Sequence, residues 1–320
     1  MPNKFRFGVF LPFYAFRNQK TVPQMFEQLQ EIVLGCEKLG YDSVWLDDHL
    51  MMGATPILEC WTTLSALASV TKKIKLGTMV TCNLFRNPAL LAKMAATLDN
   101  ISNGRIELGI GAGVQKTEHE AYGFLFSSAK ERIQRLNEAV EIIKKLWTYK
   151  QASYNGRYYK LKDAMCEPKP IQKNHPPIII GGSGEELTLK VTAQKANRYD
   201  WGYLSSIIQY QHKLKVLENH CKKVGRNLDD IEKSCWPAAQ IFIRETKYEL
   251  EKQIPKWKRQ GTSIEEFMKT NFVGKPENFI KLIQPYQNLG VTHFMLFFGD
   301  LPDLTGLQLF VKKVVHVLNK

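Results

Sequence analysis

The sequence predicts an α/β fold, a single (β/α)8 or TIM barrel with insertions over residues 1–320. Three observations carry that expectation. Short β-branched and apolar runs alternate with amphipathic helical stretches eight times in chain order. No shift in composition interrupts the series, and 320 residues can bury one large core. The first strand is followed by Leu11-Pro12-Phe13-Tyr14, without the glycine turn of an open dinucleotide-binding sheet.

Residues 5–11 read as strand one and 23–38 as the first helix, with Phe26, Leu29, Ile32, Val33 and Cys36 on one apolar face. Strand two lies within 40–49. A helix over 61–70 leads to strand three at 74–80, and Pro88 opens a helix that Asn103-Gly104 stops. Strand four, 105–110, runs into a glycine turn. Residues 130–147 form a long helix on Ile133, Leu136, Val140, Ile143 and Trp147. A hairpin excursion follows at about 148–177, where Asn155-Gly156 has the positive-φ chemistry of a tight turn. Strand five is 178–180 with a helix from Glu185, and strand six is 199–203 with a helix over 209–224. Strand seven is 235–243, and its helix starts at Thr246. An insertion at about 261–275 precedes a helix over 276–288, strand eight at 292–298 and a closing helix over 304–318.

The formal net charge is +13, yet the basic residues are mixed with acidic ones, as in Lys130-Glu131-Arg132. A solvated lysine-rich surface explains that pattern better than a nucleic-acid interface, which would interleave arginine runs with aromatics. The charge would still draw in a polyanionic small molecule. Six scattered cysteines without Cys-x-x-Cys spacing read as reduced thiols of a cytoplasmic protein. No apolar run has the length of a membrane span, and the N-terminus does not read as a signal peptide.

In a barrel of this kind, chemistry sits on the loops after the strands' carboxyl ends. Asp47-Asp48-His49 after strand two places two carboxylates and an imidazole there. Read alone, these residues are most simply helix caps and a structural histidine. Strict alternation would put Asp48 on the opposite face from His49, so joint action requires the strand to bend at Asp47-Asp48. Thr81, Cys82, Asn83 and Arg86 follow strand three. Gly109-Ile110-Gly111-Ala112-Gly113 is either a sharp strand exit or a place where backbone approaches a flat ligand. Gly181-Gly182-Ser183-Gly184 before a helix start could hold a phosphate on free N–H groups. Glu118-His119-Glu120 reads as a first-turn helical cluster and not a metal site, because adjacent helical residues point apart. Phe13, Tyr14 and Phe16 suggest an aromatic wall to a substrate pocket shaped by the loops after strands one, four and seven and by the insertion.

Four ordered motifs then resemble the bacterial luciferase-like (flavin-utilising monooxygenase) superfamily. They are Gly40-Tyr41-Asp42-Ser43-Val44-Trp45 with Asp48-His49; Leu76-Gly77-Thr78 with Phe85-Arg86-Asn87-Pro88-Ala89; Gly104-Arg105 with Leu108 to Gly113; and Pro176-Pro177-Ile178 with Gly181-Gly182. The Asp-His ending of strand two resembles the branch that uses coenzyme F420, whereas FMN luciferases tend to carry a Glu-His-His ending. The resemblance implies a luciferase-like barrel and an F420-dependent oxidoreductase acting on a small molecule, with Asp48 and His49 at the transfer site. Met79, Val80 and Thr81 would back the ring, with a non-prolyl cis peptide expected at Met79-Val80. Ala112 and Gly113 would line it, and Gly181, Gly182 and Ser183 would hold the coenzyme's phosphate. The alternatives are an FMN-dependent monooxygenase fed by a partner reductase, or a catalytically silent flavin-binding protein. The family also implies a homodimer. Sugar-phosphate F420 dehydrogenases carry a Glu where this chain has Val114, which speaks against sugar-phosphate oxidation.

Overall fold

Gly40, in the left-handed region at φ 84°, ends the first helix and turns the chain into the strand that leads to Asp47 and Asp48. The computed structural model describes residues 5–15, 21–204, 206–258 and 261–319. Its parallel strands are β1 (Arg6–Phe10), β2 (Ser43–Leu46), β3 (Lys75–Thr78), β4 (Ile106–Gly111), β5 (Ile178–Gly181), β6 (Arg198–Asp200), β7 (Glu232–Cys235) and β8 (His293–Leu296). They neighbour one another in the order β3–β2–β1–β8–β7–β6–β5–β4, and β3 also pairs with β4, closing the sheet into the expected (β/α)8 barrel. Among the described residues no helix is long and apolar enough to cross a membrane.

The chain divides into two compact units, the first comprising Met1–Trp45, Trp201–His212 and Glu232–Lys320. There β1 lies between β8 and β2, with Gly8 opposite Met295 and Ser43. Helix α1 (Val22–Leu39) buries Met25, Leu29, Ile32, Val33 and Cys36, so Met25 and not Phe26 completes its apolar face. Phe13 is 1% exposed and packs as core, which removes it from any pocket wall; Phe16 lies outside the described residues. Strand seven differs from expectation. Pro237 cannot donate to a ladder, and the run splits into β7 and a separate strand, Ile241–Ile243. That strand pairs with Phe272–Gly274 of the insertion, whose helix Ile264–Thr270 supplies Phe267 to a small core with Phe242, Leu250 and Trp257.

Beside it, Arg244 donates to Asp300 at 2.7 Å and Asp303 at 3.1 Å. Burial nevertheless pushes the Asp300 carboxyl up to about 6. A carboxyl raised on folding binds its proton more tightly in the native state. Its contribution to stability is therefore present below about pH 4 and is lost as pH rises through about 6. Asp300→Asn is expected to lack this fall in denaturant titrations across that window, and equal pH slopes for both proteins would contradict it.

The second unit comprises Leu46–Asp200 and Lys213–Ile231. In it β4 pairs with β3 and β5, and β5 with β6. Glu107 of β4 accepts from Arg198 of β6 at 2.7 Å, with Lys75 of β3 at 3.4 Å, so charge in this interior is matched across three strands. Helix α2 (Cys60–Val70) starts on Glu59, and α3 (Pro88–Ile101) starts on Asn87, whose Oδ1 accepts from the Ala89 N–H at 2.8 Å. A six-residue helix α4 (Lys116–Ala121) precedes the long α5 (Ala129–Thr148). The hairpin forms between Ala152–Asn155 and Lys160–Ala164, but its tip does not use positive φ at Asn155 or Gly156. Gly156 is there for space. A Cβ on it would stand 2.3 Å from Glu138 Oε2, the carboxylate that accepts from the Tyr158 and Tyr159 N–H groups of the loop.

Candidate active site at the ends of β2 to β5

The candidate catalytic and cofactor-binding residues, Asp47 to Ser183, lie in the second unit. Strand β2 stops at Leu46, whose carbonyl accepts from the Met79 N–H at 2.7 Å, so Asp47, Asp48 and His49 follow irregular backbone. Regular strand geometry therefore ends before Asp47-Asp48 and does not run through His49.

Asp48 turns inward. Its carboxylate is wholly buried and grips Arg86 in a two-pronged pair, Nη1 to Oδ2 at 2.6 Å and Nη2 to Oδ1 at 2.9 Å. Oδ2 also accepts from the Cys82 N–H at 2.9 Å. Burial alone would lower the Arg86 guanidinium, but hydrogen bonds and charge from Asp48 and Glu59 outweigh it and hold Arg86 firmly protonated. A carboxylate so enclosed positions the β2 and β3 loops. Both of its oxygens are engaged by Arg86 and the Cys82 N–H, so Asp48 stands in the loop framework beside the direct role that the resemblance implies for it. His49 does the opposite, with 23% of its side chain exposed.

At β3 the ladder halts after Thr78. The Met79-Val80 peptide is cis and non-prolyl, at the position expected. Pairing resumes at Thr81–Cys82, with Thr81 opposite Ile110 and Cys82 opposite Gly111. This bulge explains the glycines of β4 and β5. A Cβ at Gly109 would lie 1.9 Å from the Thr78 carbonyl oxygen, and at Gly111 or Gly181 2.7 Å from a Val80 methyl. The space left by the missing side chains is thus filled by the Val80 bulge and is not open to a ligand. Met79, Val80, Ala112 and Gly113 stay half-buried. Thr81 is fully buried, with Oγ1 accepting from Trp61 Nε1 at 3.2 Å, which ties the strand just past the bulge to α2.

After β5, Gly182 is exposed at φ 114° and Ser183 is half-buried. The next helix, α6 (Thr188–Lys195), begins three residues later than expected. Glu185 is not in its first turn: Lys213 Nζ ties it down, donating to Glu185 Oε1 at 2.5 Å and to the Ser183 carbonyl at 2.9 Å. A phosphate at this loop would therefore meet Gly182, Ser183 and the Lys213 ammonium, and not the start of a helix.

Residues 5–268 match the family described as Luciferase-like monooxygenase. The chain belongs to that family of oxidoreductases. A relative from Microbacterium testaceum, an F420-dependent glucose-6-phosphate dehydrogenase, is 36% identical over 207 residues, 61% of this chain and 59% of that protein. The chain thus matches about three fifths of that relative's length. A protein of the same description from Kribbella flavida is 28% identical over 324 residues, covering 91% of this chain and 94% of the relative. Among solved structures, an F420-dependent secondary alcohol dehydrogenase in complex with an F420-acetone adduct superposes with a TM-score of 0.79 at 22% identity, covering 97% and 98% of the two chains. That likeness shows the fold.

In this luciferase-like barrel the short helix α4 carries residues that sequence reasoning set aside. Glu118, 2% exposed, reaches the β2 loop, where Oε2 lies 3.1 Å from His49 Nδ1 and Oε1 accepts from the Leu50 and Met51 N–H groups. His119 reaches the β3 loop instead, with Nε2 3.5 Å from Cys82 Sγ and Nδ1 bonded to the Gln115 carbonyl at 2.7 Å. Burial raises the Cys82 thiol to about 12, so it stays protonated and packs as a core thiol. Adjacent helical residues do point apart, as the sequence reading held, and each secures a different loop. Among the described residues no cluster suited to a metal ion occurs.

Proposed function

We propose that this chain is an F420-dependent oxidoreductase that moves a hydride between the deazaflavin and a small organic molecule. The observation that carries the proposal is a partly exposed His49 just past β2 while the neighbouring strand β3 ends in the Met79-Val80 bulge, against which Gly109, Gly111 and Gly181 of β4 and β5 pack. The residues fit a flat ring with an anionic tail: apolar Met79, Val80 and Ala112 are partly accessible for its face, and Gly182, Ser183 and Lys213 could hold a phosphate. The full-length relative named as F420-dependent supports the same coenzyme. The net charge of +13 would favour capture of a polyanionic coenzyme.

When bound, a deazaflavin supplies a carbon that carries a hydride and does not activate oxygen. The chain's own work is orientation and one proton. His49 takes or gives that proton, since its ring is the accessible member of the Asp47-Asp48-His49 run: Asp47 is 7% and Asp48 3% exposed. Val114, exposed just past Gly113, offers an apolar surface where the family resemblance implies a Glu in sugar-phosphate dehydrogenases. The substrate in this reading is a small alcohol or carbonyl compound without a required phosphate.

The test is equilibrium binding of oxidised F420 and of FMN, measured separately by fluorescence. Tighter binding of F420 is expected. Preference for FMN, or rapid oxygen uptake with reduced FMN, would replace this reading with a monooxygenase.

A further inference from the structure

We infer that Glu118 is a positioning residue that fixes which nitrogen of His49 carries the proton. The inference rests on the reading of His49 as the proton-handling group and concerns its tautomer. Glu118 is 2% exposed, and a carboxylate so buried is stable only where donors saturate it. Oε1 already has two fixed donors, the Leu50 and Met51 N–H groups, neither of which can withdraw its proton. Oε2 faces His49 Nδ1 at 3.1 Å. An acceptor-only group at that distance requires Nδ1 to be the protonated nitrogen. In the neutral ring Nε2 then carries the lone pair. Its nearest carboxylate, Asp47 Oδ2, is 3.9 Å away, beyond hydrogen-bond reach, so Nε2 stays available to a substrate. One side chain from α4 thereby sets both the path of the β2 loop and the basic end of the imidazole.

Glu118→Gln separates these two tasks. Its amide oxygen can still accept from Leu50 and Met51, while its NH2 faces His49 Nδ1 and forces the proton onto Nε2. The probe is 15N-edited NMR of the histidine ring nitrogens in the ligand-free protein, assigned with His49→Ala. The wild type is expected to show the Nδ1–H tautomer and the Gln variant the Nε2–H tautomer. Turnover of F420 with a panel of secondary alcohols should fall by at least about 10²-fold in the variant with little change in KM. An Nε2–H ring in the wild type overturns the inference outright, whether or not the variant folds. A variant ring that keeps Nδ1–H also overturns it. If His49→Ala retains turnover, the reading of His49 as the acting group fails instead, and the ring spectra still decide the role of Glu118.

Discussion

His49→Ala is expected to lose turnover by roughly 10²–10⁴-fold, the usual worth of a positioned acid or base, while keeping the fold. The ring is partly exposed and forms no part of the buried core, and Glu118 keeps its two backbone donors after the truncation. What the variant loses is one donor to Glu118 Oε2, a cost of about 1–3 kcal/mol for a buried polar group. Affinity for oxidised F420 should change little, because the bulge and the Gly182 loop are untouched. The measurement is F420 reduction followed by absorbance with glucose 6-phosphate and with secondary alcohols, alongside a coenzyme titration. Turnover equal to wild type with any of these substrates removes His49 from the chemistry. A parallel collapse of coenzyme affinity and turnover would make His49 a binding group.

The barrel was legible because its signals are local. Periodicity, caps and stops are written within each strand–helix unit, as at Thr21 and Gly40 around α1 or Asn87 before α3. The place of the site was legible for the same reason, since the carboxyl end of a strand is known once the strand is. The roles of single residues were less so. Gly109, Gly111 and Gly181 announced a missing side chain, but what fills the space is Val80, from another strand. Asp48 looked available because its partner, Arg86, lies 38 residues on, and only the fold brings a two-pronged guanidinium to it. Glu118 lacks metal-ligand spacing, so in the sequence it reads only as a first-turn helical residue. The signal that could have found it is a carboxylate on the loop after β4, which barrel closure brings near the loop after β2. The late start of α6 has a backbone cause: Gly182 at φ 114° delays the helix, and Glu185 prefers Lys213 to a first-turn position.

The buried pair at Asp48 should show the largest effect on stability. Arg86→Met leaves a carboxylate with no exposed surface and the Cys82 N–H as its remaining donor from this cluster. Stranding a buried charge costs about 3–5 kcal/mol, more than truncating an exposed ion pair ever does. For a chain of this size that is a fall in melting temperature on the order of 5–10 °C. The charge, and not the lost packing, should be the cause. Methionine keeps most of the apolar stem, so a volume effect predicts a small loss. The second arm of the experiment isolates the term. In Asp48→Asn with Arg86→Met, the amide oxygen still accepts from Cys82, no net charge is buried, and most of the lost stability should return. If the double variant is as unstable as Arg86→Met alone, the cost lies in packing around Arg86 and not in the stranded carboxylate. Function couples to this pair through geometry. Asp48 holds the Cys82 N–H just past the Val80 bulge while Arg86 also grips Glu59 at the start of α2, so β2, β3 and α2 share one ionic knot. Loosening it is expected to shift the Val80 bulge through the Cys82 N–H. Coenzyme affinity should therefore fall in Arg86→Met and return with stability in the double variant, a linkage that a direct contact between Asp48 and the coenzyme would not produce.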